Sequence, residues 1–198
     1  MEQVKNITAA KAALRSRMIS MRRSLSESAY TTMSNAVAGF VLGLPEIISA
    51  HHINLYLPIR SHTEVATDAI LDGLSAMHKQ LSVPVIRDGM LHAAAFCKGD
   101  PVLPATYGQP EPEHVVIIDE TELDVILLPL LAFDPQGYRL GFGKGFYDFF
   151  LHRLSQKGIY PCRIGLAYSF QMVDSVPLDP WDQPLDLVVN EQGILSFT

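Results

Sequence analysis

The sequence predicts an α/β fold: a single domain built on a largely parallel, Rossmann-like sheet flanked by helices, with an N-terminal helical hairpin. Three observations lead there. Short apolar runs alternate with stretches of 3.6-residue periodicity, the pattern of strands and helices in a parallel sheet. One run, Asp124-Val-Ile-Leu-Leu-Pro-Leu-Leu131, is apolar almost throughout, as a strand covered on both faces must be. A glycine-rich stretch follows it directly and leads into a helix start near Phe146.

At 198 residues, 48% apolar and 18% charged, the chain suffices for one domain over residues 1–198, with a hairpin over 1–45 and the sheet over 50–198. A net charge of -6 argues against a nucleic-acid partner, which calls for a basic surface. Cys97 and Cys162 form no C-x-x-C and read as reduced thiols. No stretch approaches the roughly 20 apolar residues of a membrane span. Met1 to Asn6 starts no signal-peptide core, so a cytoplasmic protein without a membrane partner is expected.

Taken in order, residues 7–24 read as a helix, with Leu14, Met18, Met21 and Leu25 on one buried stripe. Lys11, Arg15 and Arg22 fall on a neighbouring face; Lys11 and Arg15, one turn apart, either converge on an anion or are simply solvated. Ser26 reads as the N-cap of a helix over 27–43 that buries Met33, Val37, Phe40, Val41 and Leu44 and ends at Pro45. His51 to Pro58 is a strand, 59–63 a polar turn, and Glu64 to about Lys79 a helix capped by Thr63. Glu64 thereby falls at a strand's carboxyl end, where open α/β sheets keep ligands, although an acid in a first helical turn is also ordinary dipole complementation. Residues 81–86 and 90–97 form a hairpin about Asp88-Gly89, and the proline-rich run 99–112 reads as a loop. A helix over 146–156 and strands over 163–168, 185–189 and 194–197 complete the chain. The seven histidines form no zinc pattern, and no G-x-S-x-G offers a serine nucleophile.

The stretch from Pro129 to Asp148 carries the chemistry. Glycines at 141, 143 and 145 let backbone amides approach a ligand and make positive φ accessible. A helix starting behind them adds its positive N-terminal end, a suitable cradle for phosphate oxygens. Lys144 and Arg139 supply charge, and Asp134 and Asp148 are carboxylates within reach of a divalent cation. Such a stretch is equally compatible with a mobile turn. It is neither a Walker A motif, since Gly145 follows Lys144, nor a dinucleotide fingerprint, since no acid stands about 20 residues on.

Joined with its satellites, this stretch resembles the 5-formyltetrahydrofolate cyclo-ligases (5,10-methenyltetrahydrofolate synthetases). The resemblance rests on Lys11-Ala-Ala-Leu-Arg15, Glu64-Val-Ala-Thr67, Gln109-Pro-Glu-Pro112, Phe133 to Asp148, and Val176-Pro-Leu-Asp-Pro-Trp-Asp-Gln-Pro-Leu-Asp186, in that order over nearly the whole chain. It implies an ATP- and Mg²⁺-dependent cyclisation of 5-formyltetrahydrofolate, polyglutamylated or not, by a monomer. The implied ATP-binding residues are Lys11, Arg15, Arg139, Leu140, Gly141, Phe142, Gly143, Lys144, Gly145, Phe146 and Tyr147, with Lys144 and Arg139 acting on the transferred phosphoryl group. Asp148 and Asp182 match the metal positions. Glu64 matches the pterin-binding acid, Tyr56, Leu57 and Phe133 either line the slot or belong to the core, and Asp134 shapes the turn.

Three departures stand out: Phe142 where the family often has arginine, a turn from Pro58 to Glu64 about two residues longer than usual, and Ala66 where aspartate is common. They leave room for two other readings: another ATP-dependent ligase or kinase on the same scaffold, and a non-catalytic folate binder.

Overall fold

In the computed structural model, which describes residues 2–197 and side chains from residue 7 onward, the apolar run after Asp124 forms the centre of the sheet. The ends of the expected 1–198 unit, residues 1 and 198, lie outside the described residues.

Among the described residues eleven strands are present: β1 His52–Leu55, β2 Gln80–Arg87, β3 Met90–Ala95, β4 Val102–Pro104, β5 Pro110–Pro112, β6 Val125–Pro129, β7 Ala132–Phe133, β8 Arg139–Leu140, β9 Cys162–Leu166, β10 Leu187–Asn190 and β11 Gly193–Ser196. The helices are α1 Glu2–Arg23, α2 Glu27–Leu42, α3 Pro45–Ser49, α4 Asp68–Ala76 and α5 Phe146–Gln156. Seven strands make one sheet in the order β11-β10-β9-β6-β1-β2-β3. Every pairing from β10 to β2 is parallel, and the two edge strands are antiparallel.

Alternation along β6 divides the core. Val125 and Leu127 point to the face covered by Val37, Ala38 and Val41 of α2 and by Ile70 and Leu74 of α4. Ile126 and Leu128 point to the opposite face, where α5 inserts Phe150, Leu151 and Leu154. The sheet is thus covered on both sides, as the unbroken apolar run requires.

The two helices of the expected hairpin serve different cores. Met18, Leu14, Ile19 and Met21 of α1 pack on Leu131, Ala132, Leu140 and Val176 around the small β7–β8 ribbon, whereas α2 lies on the main sheet. Ser26 caps α2 as expected, accepting from the Ala29 amide at 3.2 Å, and Pro45 begins the short α3 at its first turn. Phe40, expected inside, is exposed on α2.

Two local expectations are corrected. The fourth helix begins at Asp68 and not at Glu64, and Thr63 is no cap: it takes a left-handed φ of 50° and closes a short 3₁₀ turn over Arg60–His62. Residues 64–67 stay outside the helix: Thr67, at φ -101° and ψ 4°, precedes its first turn with Oγ1 donating to the Tyr56 carbonyl at 2.8 Å, and the Ala66 amide donates to Ser34 Oγ at 3.1 Å. The 99–112 run is also more regular than expected, for β4 and β5 pair antiparallel with prolines at both ends. A two-stranded arm exposes both edges, so its prolines face no ladder they would interrupt.

Candidate active site

The sheet changes winding direction between β1 and β6: from β1 the chain goes to β2 on one side, and from β6 to β9 on the other. Ligands of open α/β sheets settle beyond the carboxyl ends at such a switch. A cavity of about 410 Å³ opens there, bounded by Tyr56, Leu57 and Glu64 beyond β1, by Pro129 of β6, and by residues 139–148.

Helix α1 lies on the β7–β8 ribbon and so delivers two cations to this loop. Arg15 Nε donates to the Gly141 carbonyl at 2.9 Å. Gly143 has φ 93°, a conformation that favours glycine, and it lies against the guanidinium end of the flexible Arg15 side chain. Gly145, at φ 70°, begins α5, whose N-terminal end faces the same cavity. Lys11 also lines the cavity, its Nζ donating to Asp179 Oδ2 and Asp182 Oδ2, each at 2.7 Å.

Arg139 is buried beneath the loop, donating to the Gln183 carbonyl at 2.6 Å and to Asp148 Oδ1 at 2.8 Å. Burial pulls its pKa down and the Asp148 charge opposes that. Lys144 makes no ion pair among the described residues; its ammonium rests 5.3 Å from the centroid of Tyr107 on the β4–β5 arm. The arm also meets the loop through Tyr107 and Phe146, with ring centroids 5.4 Å apart.

Glu64, only 4% exposed, accepts from the Ile59 amide through Oε2 at 2.7 Å, and its other oxygen has no hydrogen bond among the described residues. Burial raises its pKa, opposed by that amide and by the Arg22 charge. Tyr147 also feels the charges of Glu64 and Arg139, and burial lifts its phenol well above the ordinary value. Tyr56 lines the cavity with its hydroxyl donating to the Val65 carbonyl at 2.9 Å.

Every site residue expected from the sequence lines this cavity except Phe133, which is fully buried among Leu130, Phe150 and Ala167 and is a core residue. Asp134 shapes the turn, accepting from the amides of Gln136, Tyr138 and Val176. Tyr107, Gln109, Trp181, Asp179 and His62 also line the cavity. Asp179 lies within the Val176–Asp186 stretch and Tyr107 within the proline-rich run that reads as a loop, so neither carries a signal of its own in the sequence. Magnesium fits the donor set. Asp148 and Asp182 are hard carboxylates, the Gln183 amide lies 3.4 Å from Asp148 Oδ1, and each acid keeps a second oxygen without a hydrogen bond among the described residues. No group of three or more His, Cys, Asp or Glu there could hold a metal unaided, so phosphate oxygens would have to complete the shell.

A doubly covered, mainly parallel sheet with a glycine loop, convergent cations and a buried acid at its switch point belongs to the α/β enzymes that enclose small ligands. A profile of the 5-formyltetrahydrofolate cyclo-ligase family matches residues 7–191, and the chain belongs to that family. The 5-formyltetrahydrofolate cyclo-ligase of Haemophilus influenzae is 32% identical over 89% of this chain and 95% of its own length. The Escherichia coli K12 protein of the same name is 28% identical over 89% and 97%. Among solved structures, Aquifex aeolicus 5,10-methenyltetrahydrofolate synthetase superposes with a TM-score of 0.82 at 30% identity, covering 94% of this chain and 92% of that one. No helix among the described residues is long and apolar enough to cross a membrane.

Proposed function

We propose that the protein cyclises 5-formyltetrahydrofolate to 5,10-methenyltetrahydrofolate at the expense of ATP, releasing ADP and phosphate. Beyond family membership, the observation that carries this reading is one cavity lined by both a cation-rich glycine loop and the buried Glu64.

A formyl amide resists attack by N10 because its oxygen leaves poorly. In this reading the formyl oxygen attacks the γ-phosphorus, the bond to the β-phosphate oxygen breaks, and its electron pair departs with ADP. N10 then attacks the activated carbon, the carbon–oxygen bond breaks to expel phosphate, and N10 loses its proton to water. The loop amides, Arg15 and Lys144 offset charge on the transferred group; Arg139, locked by Asp148 and the Gln183 carbonyl, holds the loop from below. Lys11 grips the nucleotide beside Asp179 and Asp182. Glu64 receives pterin N–H donors, a strong contact where water is scarce. Asp148 and Asp182 would hold magnesium, which supplies further neutralisation of phosphate charge. Action as a monomer in the cytoplasm belongs to the same reading; the Arabidopsis thaliana relative is named as mitochondrial.

The test is the near-ultraviolet absorbance rise of the methenyl product with purified protein, 5-formyltetrahydrofolate and MgATP. The rise should require ATP, and Lys144→Ala should lower the rate about 100-fold. A folded protein that binds ATP and gives no rise would refute the assignment.

A further inference from the structure

Two of the departures from the family pattern lie far apart in the chain and touch in the fold. The His62 imidazole stacks on the Phe142 ring, with centroids 5.0 Å apart and planes inclined by 27°. Behind them lies Arg22, 2% exposed, whose guanidinium carbon stands 5.8 Å from the centroid of Phe142. Its nitrogens donate to the carbonyls of His62, Thr63 and Leu130, tying α1 to the turn and to the end of β6.

That turn is closed upon itself. Glu64 at its end accepts from the Ile59 amide at its start, and Thr63 within it holds a φ of 50°, which a β-branched residue takes only when its surroundings impose it. Phe142 stands between Gly141, whose carbonyl receives Arg15, and Gly143, which packs against the Arg15 guanidinium. With glycine on either side, the loop has little intrinsic stiffness of its own, so a ring contact at Phe142 restricts it appreciably.

We infer that His62 is a positioning residue for the proposed reaction: its stack on Phe142 couples the turn that carries Glu64 to the glycine loop, so that folate at one and nucleotide phosphates at the other organise each other. The inference rests on the proposed function. His62 acts through Phe142 and the turn, so each ligand still binds when the stack is lost. What disappears is the mutual benefit, and coupling between two sites is reciprocal.

The experiment measures the Kd of a non-hydrolysable ATP analogue by titration calorimetry, with and without saturating 5-formyltetrahydrofolate. Wild type, His62→Ala, Phe142→Ala, the double variant and His62→Phe are compared. In wild type, folate should tighten analogue binding about tenfold, within the usual range of coupling. Either alanine variant should reduce that factor to about twofold or less, the double variant should lose nothing more, and His62→Phe should restore it. Undiminished coupling in His62→Ala, or no coupling in wild type, overturns the inference while leaving the reaction assignment intact. A His62→Ala protein with an unchanged melting temperature that binds neither ligand also overturns it. Wild type that binds the analogue but no folate removes the functional reading itself, and the inference with it.

Discussion

Glu64 is expensive where it stands. Burial disfavours its ionised form, and a single backbone amide and the Arg22 charge only partly offset this. Its folded pKa lies above the ordinary 4.5, so its contribution to stability is complete below that value and is lost as pH rises through the folded pKa. Glu64→Gln should therefore melt a few degrees above wild type near about pH 8, with the difference closing towards about pH 4, while KM for folate rises at least about tenfold. A variant less stable at high pH would mean that the carboxylate is held for the fold. Gly143 is constrained differently, by a φ of 93° that side chains rarely adopt. Gly143→Ala should cost about 1–2 kcal/mol in urea unfolding and weaken nucleotide binding about tenfold or more, with folate affinity nearly unchanged. Equal loss of both ligands would show a general collapse of the cavity.

Among the elements, β1 is the strand on which the site depends, since its end delivers Tyr56 and Leu57 and its centre lies between β2 and β6. Two of its four residues, His52 and Asn54, are polar. Asn54 donates to Ser82 Oγ at 3.0 Å, and His52, buried at the strand's start, has neither ring nitrogen hydrogen-bonded among the described residues; Glu122 Oε2 stands 3.9 Å away, too far for a bond. Burial lowers the His52 pKa, with Glu122 and Asp124 opposing. Its neutral form is the folded form, so stability present above about pH 6.5 is lost as pH falls through the folded pKa. The fall in Tm between about pH 7.5 and pH 5.5 should be smaller in His52→Leu than in wild type; an equal fall would place the acid sensitivity elsewhere. Helices and strands whose burial follows a simple period were legible in the sequence: β6 from its apolar run, α5 from the glycines before Phe146. The start of α4 was not, because Val65 fits a helical stripe and only tertiary bonds to Tyr56 and Ser34 hold Thr67 and Ala66 outside the helix. The β4–β5 arm was hidden because prolines, which disqualify a central strand, are harmless on a two-stranded one.

At the scale of the whole molecule, one cavity gathers residues from both ends of the chain: Lys11 and Arg15 from α1, Glu64 beyond β1, the loop before α5, and Asp179 and Asp182 near the end. The sequence pointed to nearly all of them because fixed roles at a ligand demand particular residue types. Arg22 escaped as a structural anchor because a basic residue on an amphipathic helix is ordinarily solvated, and only the fold supplies its three carbonyl acceptors. Phe133 stays undecided in the sequence for the converse reason: an apolar residue at a strand end reads the same whether it faces a slot or the core, and the fold puts it in the core. In the proposed reaction this cavity brings the formyl oxygen of the folate to the γ-phosphate of ATP. Substrate carrying ¹⁸O in the formyl group follows that oxygen, with the phosphate released read by mass spectrometry. One ¹⁸O in each phosphate formed is expected; phosphate free of label, released alongside methenyl product, would rule out attack by the formyl oxygen.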